Sequence, residues 1–554
     1  MPNAKNEPPT GLSWAAAGDV NAFFGLMLDN IADLILTVSL LGAVFAFPTD
    51  FALQHMVPGT AVGVLVGDLL FFVLALRLSR KTGRNSITAM PLGLDTPSTF
   101  GMVFFILGPA FVGAKSRGME ETTAALHAWH IGIAAIFASG IFKLCCAFTA
   151  NWARTMIPRA GLLGSLTAVA LVLISFLPLI ETLHHPVVGL VALAIILTTL
   201  VAGVSLPFKM PGALGALIVA GTLFYVMRFF SVEPGEPIFS TGEHSFDPAA
   251  GLLPTGWLQA LGFGWLPVLF SREFLNYLPV IIPFALGTVV GGIDCTESAA
   301  AAGDEYDTQQ VIGVEAIATI IASLCGGVIQ TTPYIGHPAY KAMGGRSAYV
   351  LATALFVGSA GLLGYFGYLY LIVPKAAVFP ILIFVGLEIT AQSFHATPKR
   401  HYTAVALSCV PALGYLLIIT LDGLLFAVDW SKIQDATMKQ ENILIIRMVS
   451  AGFIVTSLIW ASGLAATIDR QFFRSAAFFS VAAVCTLFGV MHSPLPGSPV
   501  FLPWDLSPDQ SHELNLVLQF AGGYFAVAVI MLAWGGWLRM LEKAGTVPPL
   551  VEQA

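Results

Sequence analysis

Charged residues are scarce in this sequence, making up only 10% of its 554 positions, against about a quarter in a soluble domain. Hydrophobic residues reach 56% and the mean hydropathy is +0.82, which excludes an ordinary soluble fold. In lipid, backbone hydrogen bonds must be satisfied within the chain, as they are in α-helices. We therefore predict an all-α polytopic membrane protein that is embedded in a lipid bilayer and has no nucleic-acid partner.

Cysteine is also scarce, and no secretory leader is evident. The six cysteines lie in or beside apolar segments without zinc-ligand spacing, so we expect small buried side chains rather than disulfides. No metal and no cofactor is predicted, apart from a coupling proton or sodium ion. Residues 1–18 lack the apolar core of a signal peptide. They are expected to form a cytoplasmic tail, with insertion directed by the first apolar helix.

Apolar segments of the length needed to cross the hydrocarbon core, about 20 residues, recur along the whole chain. Seven precede a long loop at 232–275, and they lie at about 20–46, 59–79, 89–112, 124–150, 157–180, 186–206 and 211–231. Seven follow it, at about 276–301, 310–328, 333–344, 348–372, 376–394, 402–427 and 443–466. Two more, at about 473–491 and 515–538, are predicted as an appended C-terminal pair.

Two polar, proline-broken runs interrupt this apolar pattern, Pro91 to Phe100 and Gln330 to Pro338. Proline in a spanning helix frees backbone groups, which lipid tolerates only where they are buried in protein or line a cavity. Either run alone could be an ordinary loop, but paired interruptions in two halves point to the substrate site of a secondary transporter. We expect half-helices 3 and 10 to begin here, within about 20 Å of each other, which is over half the hydrocarbon thickness.

Lys and Arg are distributed unevenly between the predicted loops. With the N-terminus inside, the inner loops and tails hold sixteen of them and the outer loops eight. The positive-inside rule therefore favours cytoplasmic N- and C-termini in a plasma (bacterial inner) membrane. An odd number of helices separates the two broken runs, so the halves have opposite orientations and a 7+7 inverted repeat is predicted.

Acidic residues inside predicted helices are costly in lipid and are therefore functional candidates. Asp29 and Asp33 lie four positions apart on one face of helix 1, and Asp294 and Glu297 lie three apart on helix 8. Asp29, Asp33 and Asp294 are expected to bind a cation or proton, or to pair with Lys143, whereas Glu297 is expected to accept hydrogen bonds from the substrate or to carry the coupling proton. Other ionisable residues within helices are Asp68, Glu315 and Glu388, with structural pairing or snorkelling as the alternative for the first two.

Three stretches resemble nucleobase–cation symporter 2 proteins, the xanthine/uracil permeases and nucleobase/ascorbate transporters, whose fold is shared with anion exchangers and sulfate transporters. They are Glu297 with Gly303-Asp304, the turn from Gln330 to Gly336, and the run from Ile383 to Glu388. The resemblance implies a core domain (19–155 and 276–374), a gate domain (156–231 and 375–466) and a homodimer. The appended pair occupies 467–540 and a second cytoplasmic tail 541–554, and no regulatory domain of the sulfate-transporter kind is evident.

The resemblance also implies a substrate held between helices 3, 8 and 10, with Glu297 and the backbone near Gly336 as contacts. Those permeases usually carry a glutamate or another polar residue after this glycine, whereas this chain has His337. An aromatic ring, Phe100 or Tyr334, could stack on a flat substrate, with simple packing as the alternative. The predicted substrate-binding residues are Asp95, Thr96, Phe100, Asp294, Glu297, Thr332, Tyr334, Gly336 and His337. The predicted coupling residues are Asp29, Asp33, Glu297 and His337.

These features predict a proton- or sodium-coupled symporter of the elevator type for a nucleobase or a related small polar or anionic heterocycle. A transporter of small anions such as carboxylates, bicarbonate or sulfate is the alternative. An intramembrane aspartyl protease is disfavoured, because Gly67-Asp68 and Gly303-Asp304 lack a glycine two positions earlier, where Leu65 and Ala301 stand. The protein is therefore expected not to be an enzyme, and a passive channel is a further alternative.

Overall fold

Helices dominate the structure, a computed structural model, which describes residues 14–204, 206–207, 210–230, 252–334, 336–426, 441–495, 501, 503 and 511–543. The N-terminal half holds seven main helices and one short strand. They are α1 (Gly18–Phe45), α2 (Thr49–Thr82), β1 (Leu92–Leu94), α3 (Thr96–Ser116), α4 (Glu121–Met156), α5 (Arg159–Leu183), α6 (Pro186–Val201) and α7 (Gly212–Phe229). Two 3₁₀ segments follow, Gly256–Gly262 and Leu266–Phe270.

The C-terminal half contains the second strand and the remaining helices. They are α8 (Leu278–Ala301), α9 (Thr308–Leu324), β2 (Thr331–Pro333), α10 (His337–Ala342), α11 (Ala348–Leu362), α12 (Phe366–Ile372), α13 (Lys375–Ala396), α14 (Tyr402–Phe426), α15 (Glu441–Ser450), α16 (Phe453–Ile468), α17 (Phe472–Leu487) and α18 (Ser511–Lys543).

The predicted all-α polytopic membrane fold is confirmed. Nine helices in the described part of the chain are long and apolar enough to cross a membrane, and two bent helix pairs raise the number to eleven. The sequence predicted each bent pair as one straight segment. Instead, α11 and α12 meet at 92° and α15 and α16 at 78°, because Gly364 and Gly452 at these bends adopt left-handed backbone conformations, with φ of 78° and 66°.

The two broken runs meet, as predicted. Strands β1 and β2 pair antiparallel, with Leu92 opposite Pro333 and Leu94 opposite Thr331. Two equivalent segments running in opposite directions side by side are what an inverted repeat requires. We call strands β1 and β2, together with the first residues of α3 and α10, the crossing.

Helix α2 packs closely on α9 through a stripe of glycines that the sequence interpretation overlooked. A Cβ on Gly59 would lie 2.2 Å from the Cys325 carbonyl oxygen, and one on Gly63 would lie 2.6 Å from the Ala322 side chain. Gly67, a further turn along, faces Leu92 of β1 at 2.7 Å. Small residues four apart let helix backbones approach in this way, so α2 brings Asp68 next to β1.

The chain divides into two compact units. The first comprises the described residues of Met1–Ala150, Leu179–Leu275 and Phe284–Leu382, and the second those of Asn151–Pro178, Asn276–Pro283 and Ile383–Ala554. The first unit contains α6 and α7, which the resemblance places in the gate domain. The functional division into core and gate stays a prediction.

The second unit contains the appended helices α17 and α18, which are present as predicted. The buried His492 holds α18 to this unit, because its Nδ1 donates to the Met448 carbonyl at 3.0 Å and its Nε2 accepts the Tyr524 hydroxyl at 2.7 Å. The Trp460 indole of α16 donates to the same Tyr524 oxygen at 2.7 Å. Every nitrogen and oxygen in this group of side chains therefore has a partner.

Candidate functional site

Buried polar side chains of α1 and α2 hold strand β1 from the side opposite β2. The Leu92 N–H donates to Asp68 Oδ1 at 3.2 Å, and the Leu94 N–H donates to Asn30 Oδ1 at 3.0 Å. Alternate residues of a strand point their backbone groups the same way, so both N–H groups that β2 leaves free are satisfied. Asp68 and Asn30 are fully buried, which makes these bonds expensive to lose.

The acids predicted on α1 lie beside the start of α3. Thr96, the first residue of α3, donates its hydroxyl to Asp33 Oδ2 at 2.9 Å. Asp33 Oδ1 and Asp29 Oδ2 are both buried and accept no hydrogen bond from any described residue. Two carboxyl groups one helical turn apart in a dry interior repel each other when both are charged. A bound cation or proton would relieve this repulsion.

Asp95 caps the N-terminus of α3. Its carboxylate accepts the Ser98 N–H at 3.0 Å, the Ser98 hydroxyl, and the Gln330 side-chain amide at 3.4 Å. Gln330, just before β2, is fixed in turn by the Ser139 hydroxyl of α4 at 2.6 Å. The N-terminus of a helix attracts anions. At α3 the carboxylate of Asp95 already occupies that position.

Strand β2 is contacted by the buried ammonium of Lys143. Lys143 of α4 lies 2.8 Å from Glu315 Oε1 of α9, and its ammonium donates to the Thr331 carbonyl of β2 at 2.9 Å. Neither charged side chain is exposed. Lys143 therefore pairs with Glu315 rather than with an acid of α1.

The aromatic candidates differ in their surroundings. Phe100 is completely buried and stacks on Phe104, with ring centroids 6.1 Å apart. The Tyr334 N–H donates to the Pro91 carbonyl at 2.8 Å, and its ring covers Gly93, where a Cβ would lie 1.9 Å from Cε2. The buried Tyr334 hydroxyl has no partner among the described residues, so Tyr334 is the better placed of the two to contact a ligand.

Thr332 lies in the middle of β2, opposite Gly93, and Gly336 precedes α10. The Gly336 carbonyl accepts the Tyr340 N–H at 3.1 Å. The side chains of Asp294 and Glu297, on α8, lie outside the described residues. Their predicted roles, like those of Thr332 and Gly336, stay predictions.

His337 is fully buried at the start of α10, and its Nε2 contacts two acceptors of the protein. Its Nε2 lies 3.1 Å from the Thr88 carbonyl and 3.4 Å from Asp304 Oδ2, so the proton belongs on this nitrogen. The Tyr306 ring meets the imidazole edge to face at 6.2 Å. Nδ1 has no partner among the described residues and is the one ring atom left for a substrate.

Asp304, which follows α8, collects several donors that the sequence did not indicate. Its carboxylate lies 2.6 Å from the Lys341 ammonium and 3.5 Å from the Arg84 guanidinium, and it accepts the Thr88 N–H at 3.0 Å. Burial by itself raises the pKa of Asp304, but hydrogen bonds from His337, Lys341 and Thr88 outweigh it, so the pKa lies below its usual range. Asp304 is therefore a fixed anion that ties the α2–β1 loop to α10.

Sequence reasoning singled out Asp29, Asp33, Asp95 and Thr96, which the structure brings to one edge of the crossing. It missed Asn30, Ser98 and the hydrogen-bonding role of Gln330. Ser98 follows Asp95 by three positions, a helix-capping spacing that could have indicated the bond. Within the described residues, no three His, Cys, Asp or Glu side chains come close enough together to hold a metal ion.

No protein-family model matches the sequence, and no curated protein matches it. Among solved structures, the chain is similar to the transmembrane domain of a cyanobacterium bicarbonate transporter, BicA, with 13% identity over 80% of this chain and 96% of that one and a TM-score of 0.45. It is also similar to SLC26A9 (10% identity, 76% and 67% covered, TM-score 0.42). The murine SLC26A9 anion transporter gives 14% identity, 76% and 70% covered, and a TM-score of 0.40. The resemblance to nucleobase–cation symporters stays a prediction.

Proposed function

We propose that the protein is a secondary active transporter that couples uptake of a small polar or anionic heterocycle, such as a nucleobase, to a proton or sodium gradient. The observation that carries this proposal is the charge balance at the crossing. Asp304 is neutralised there by Lys341 and Arg84. Apart from it, five buried carboxyl groups adjoin the crossing in the described residues, namely Asp29, Asp33, Asp68, Asp95 and Glu315, and the one ammonium beside them is that of Lys143. Such an excess of buried acid is stable only when protons or cations bind.

The substrate is proposed to lie beside β2, where polar groups remain without partners. The Tyr334 hydroxyl and His337 Nδ1 offer hydrogen bonds to a ring with carbonyl and N–H groups. Glu297 of α8 is proposed to accept ring N–H donors or to carry the coupling proton. A small inorganic or carboxylate anion is the second candidate, favoured by the buried ammonium of Lys143.

Uptake into proteoliposomes tests the proposal. Purified protein would be reconstituted and given radiolabelled xanthine, urate, uracil or bicarbonate with an imposed proton gradient, a sodium gradient or neither. We expect accumulation above the equilibrium level of at least one solute, under one of the two gradients only. Uptake that merely equilibrates would indicate a passive pore and would contradict the proposal.

The variant Glu297→Gln tests the proposed coupling acid. We expect a folded protein without gradient-driven uptake, because the amide can neither bind a proton nor accept two hydrogen bonds as a carboxylate does. Glu305→Gln, an exposed site in the loop that follows α8, is the matched control and should transport normally. Wild-type rates in Glu297→Gln would show that the carboxyl group plays no part in coupling.

A further inference from the structure

The ion pair of Lys143 and Glu315 is placed where it can change the charge of the crossing. The lysine ammonium donates to the Thr331 carbonyl at 2.9 Å and to the Thr319 hydroxyl at 3.5 Å, and it lies 2.8 Å from Glu315 Oε1. One of these, Thr331, belongs to β2 and pairs with Leu94 of β1. The positive charge of Lys143 is thus in direct contact with the backbone of the crossing.

The second oxygen of Glu315 is free to take a proton. Oε2 is buried and accepts no hydrogen bond from the residues that the structure describes. It faces α8, since a Cβ on Gly292 would lie 2.8 Å from it. Thr288, also on α8, faces the same carboxyl group. Its hydroxyl also donates to the Ala285 carbonyl at 2.9 Å.

The charged groups around the pair fix the sign of the effect. Asp95, at the start of α3, acts electrostatically on both Lys143 and Glu315. From α9 and β2 the neighbours are the uncharged Thr319 and Thr331, and from α8 the described neighbours are the uncharged Gly292 and Thr288. With Glu315 ionised, two carboxylates face one ammonium. With Glu315 protonated, one carboxylate faces one ammonium, and the crossing repels an anion less.

We propose that Glu315 binds a transported proton, which removes one negative charge beside Lys143 and lets an anionic substrate bind at the crossing, so that proton and anion bind together. This inference rests on the proposed transport function and specifies its substrate as an anion. The proton adds to the free Oε2 of the carboxylate, and no other bond changes. By linkage, each ligand must raise the affinity for the other by the same factor.

Urate binding at several pH values tests the inference, with uracil as the neutral probe. In the wild type, the Kd for urate should fall with decreasing pH, by up to about tenfold per pH unit for one linked proton, whereas the Kd for uracil should change little. Glu315→Gln should bind urate with the low-pH affinity at every pH. The double variant Lys143→Met with Glu315→Gln should bind urate weakly and without pH dependence.

The double variant also protects the test from misfolding, because removing both members of a buried pair is tolerated better than removing one. Lys115→Met with Glu121→Gln, which removes an exposed ion pair of 3.6 Å, is the matched control and should keep the wild-type pH profile. An unchanged pH dependence in Glu315→Gln or in the double variant would overturn the inference and leave the proposed function intact. A wild type that binds neither urate nor uracil nor bicarbonate at any pH would overturn both.

Discussion

At the scale of single residues, Asp304 has the most partners of any described carboxylate, and removing its charge should be costly. Asp304→Asn leaves Lys341, Arg84 and the His337 ring without their common anion. Because the Lys341 and Arg84 side chains are 22% and 44% exposed and can turn to water, we expect a loss of about 1–3 kcal/mol. Glu305→Gln, one position along and exposed, should cost almost nothing. Chemical or thermal unfolding in detergent would measure both, and equal stabilities would show that the network contributes nothing.

The same carboxylate predicts a dependence of stability on pH. Because the folded pKa of Asp304 is lowered, its contribution is complete above the unfolded value of about 3.9 and is lost as the pH falls through the folded pKa. The difference in unfolding free energy between wild type and Asp304→Asn should therefore be constant near neutrality and shrink in strong acid. A difference that grows as the pH falls would contradict this assignment.

His337 combines a structural contact with a free ring nitrogen, and two substitutions separate them. His337→Ala removes both and should lower stability by about 1–3 kcal/mol, since the buried Asp304 Oδ2 loses a donor and the Thr88 carbonyl keeps only the Tyr306 hydroxyl, at 2.7 Å. His337→Gln can keep a donor to Thr88 while removing Nδ1, so it should fold normally but bind substrate more weakly. Thermal shifts with and without xanthine or urate would measure this. Normal ligand shifts in His337→Gln would take Nδ1 out of the site.

The residue scale is also where sequence reasoning reached its limit. It found Lys143 and the acids of α1 as buried charges, because a charge within an apolar run is visible from the sequence alone. It could not tell that Lys143 meets Glu315, since the pairing depends on which helices are neighbours. Residues 143 and 315 come together only because α4 and α9 both flank β2.

At the scale of elements, the crossing depends on a glycine that no larger residue can replace. A Cβ on Gly93 would lie 1.9 Å from the Tyr334 ring, so Gly93→Ala must displace either β1 or that ring. We expect a loss of about 1–3 kcal/mol, as for other overpacked sites, together with weakened substrate binding.

Gly221→Ala on α7 is the control for this substitution, because nothing lies within 4 Å of the added carbon and alanine favours a helix by up to about 1 kcal/mol. The unfolding free energies of the two variants should therefore change in opposite directions, and only Gly93→Ala should reduce the ligand-induced thermal shift. If Gly93→Ala proves as stable and as active as Gly221→Ala, the ring of Tyr334 does not hold β1 in place.

Hydropathy and proline placement predicted where the helices lie and where two of them break, because both follow from local sequence. The bends at Gly364 and Gly452 were not anticipated, since a glycine in an apolar run is compatible with a straight helix as well as with a kink. The stripe of Gly59, Gly63 and Gly67 could have been recognised from its spacing of four. It would have predicted the close contact of α2, but not that α9 is the partner.

At the scale of the whole molecule, the all-α membrane fold, the appended pair and the meeting of the two broken runs were predictable from the sequence. The partner of each buried carboxyl was not, because Asp68, Asp33 and Glu315 bind groups on elements far from them in the chain. A pattern of apolar and polar residues specifies which groups are buried, whereas their pairing requires the packed arrangement. The split into core and gate domains likewise depends on the packed arrangement.

The pairing of β1 with β2 also constrains the order of biogenesis. Leu92 and Pro333 are 241 positions apart, so at ribosomal speeds of ~5–20 residues per second the first strand waits roughly 10–50 seconds for its partner. During that time the N–H groups of Leu92 and Leu94 can already be hydrogen-bonded, because their acceptors, Asp68 and Asn30, belong to helices synthesised before β1. The N-terminal half thus holds β1 before β2 is made, and Asn30→Ala, which removes the acceptor of the Leu94 N–H, is expected to impair membrane insertion yield more than the activity of the protein that does mature.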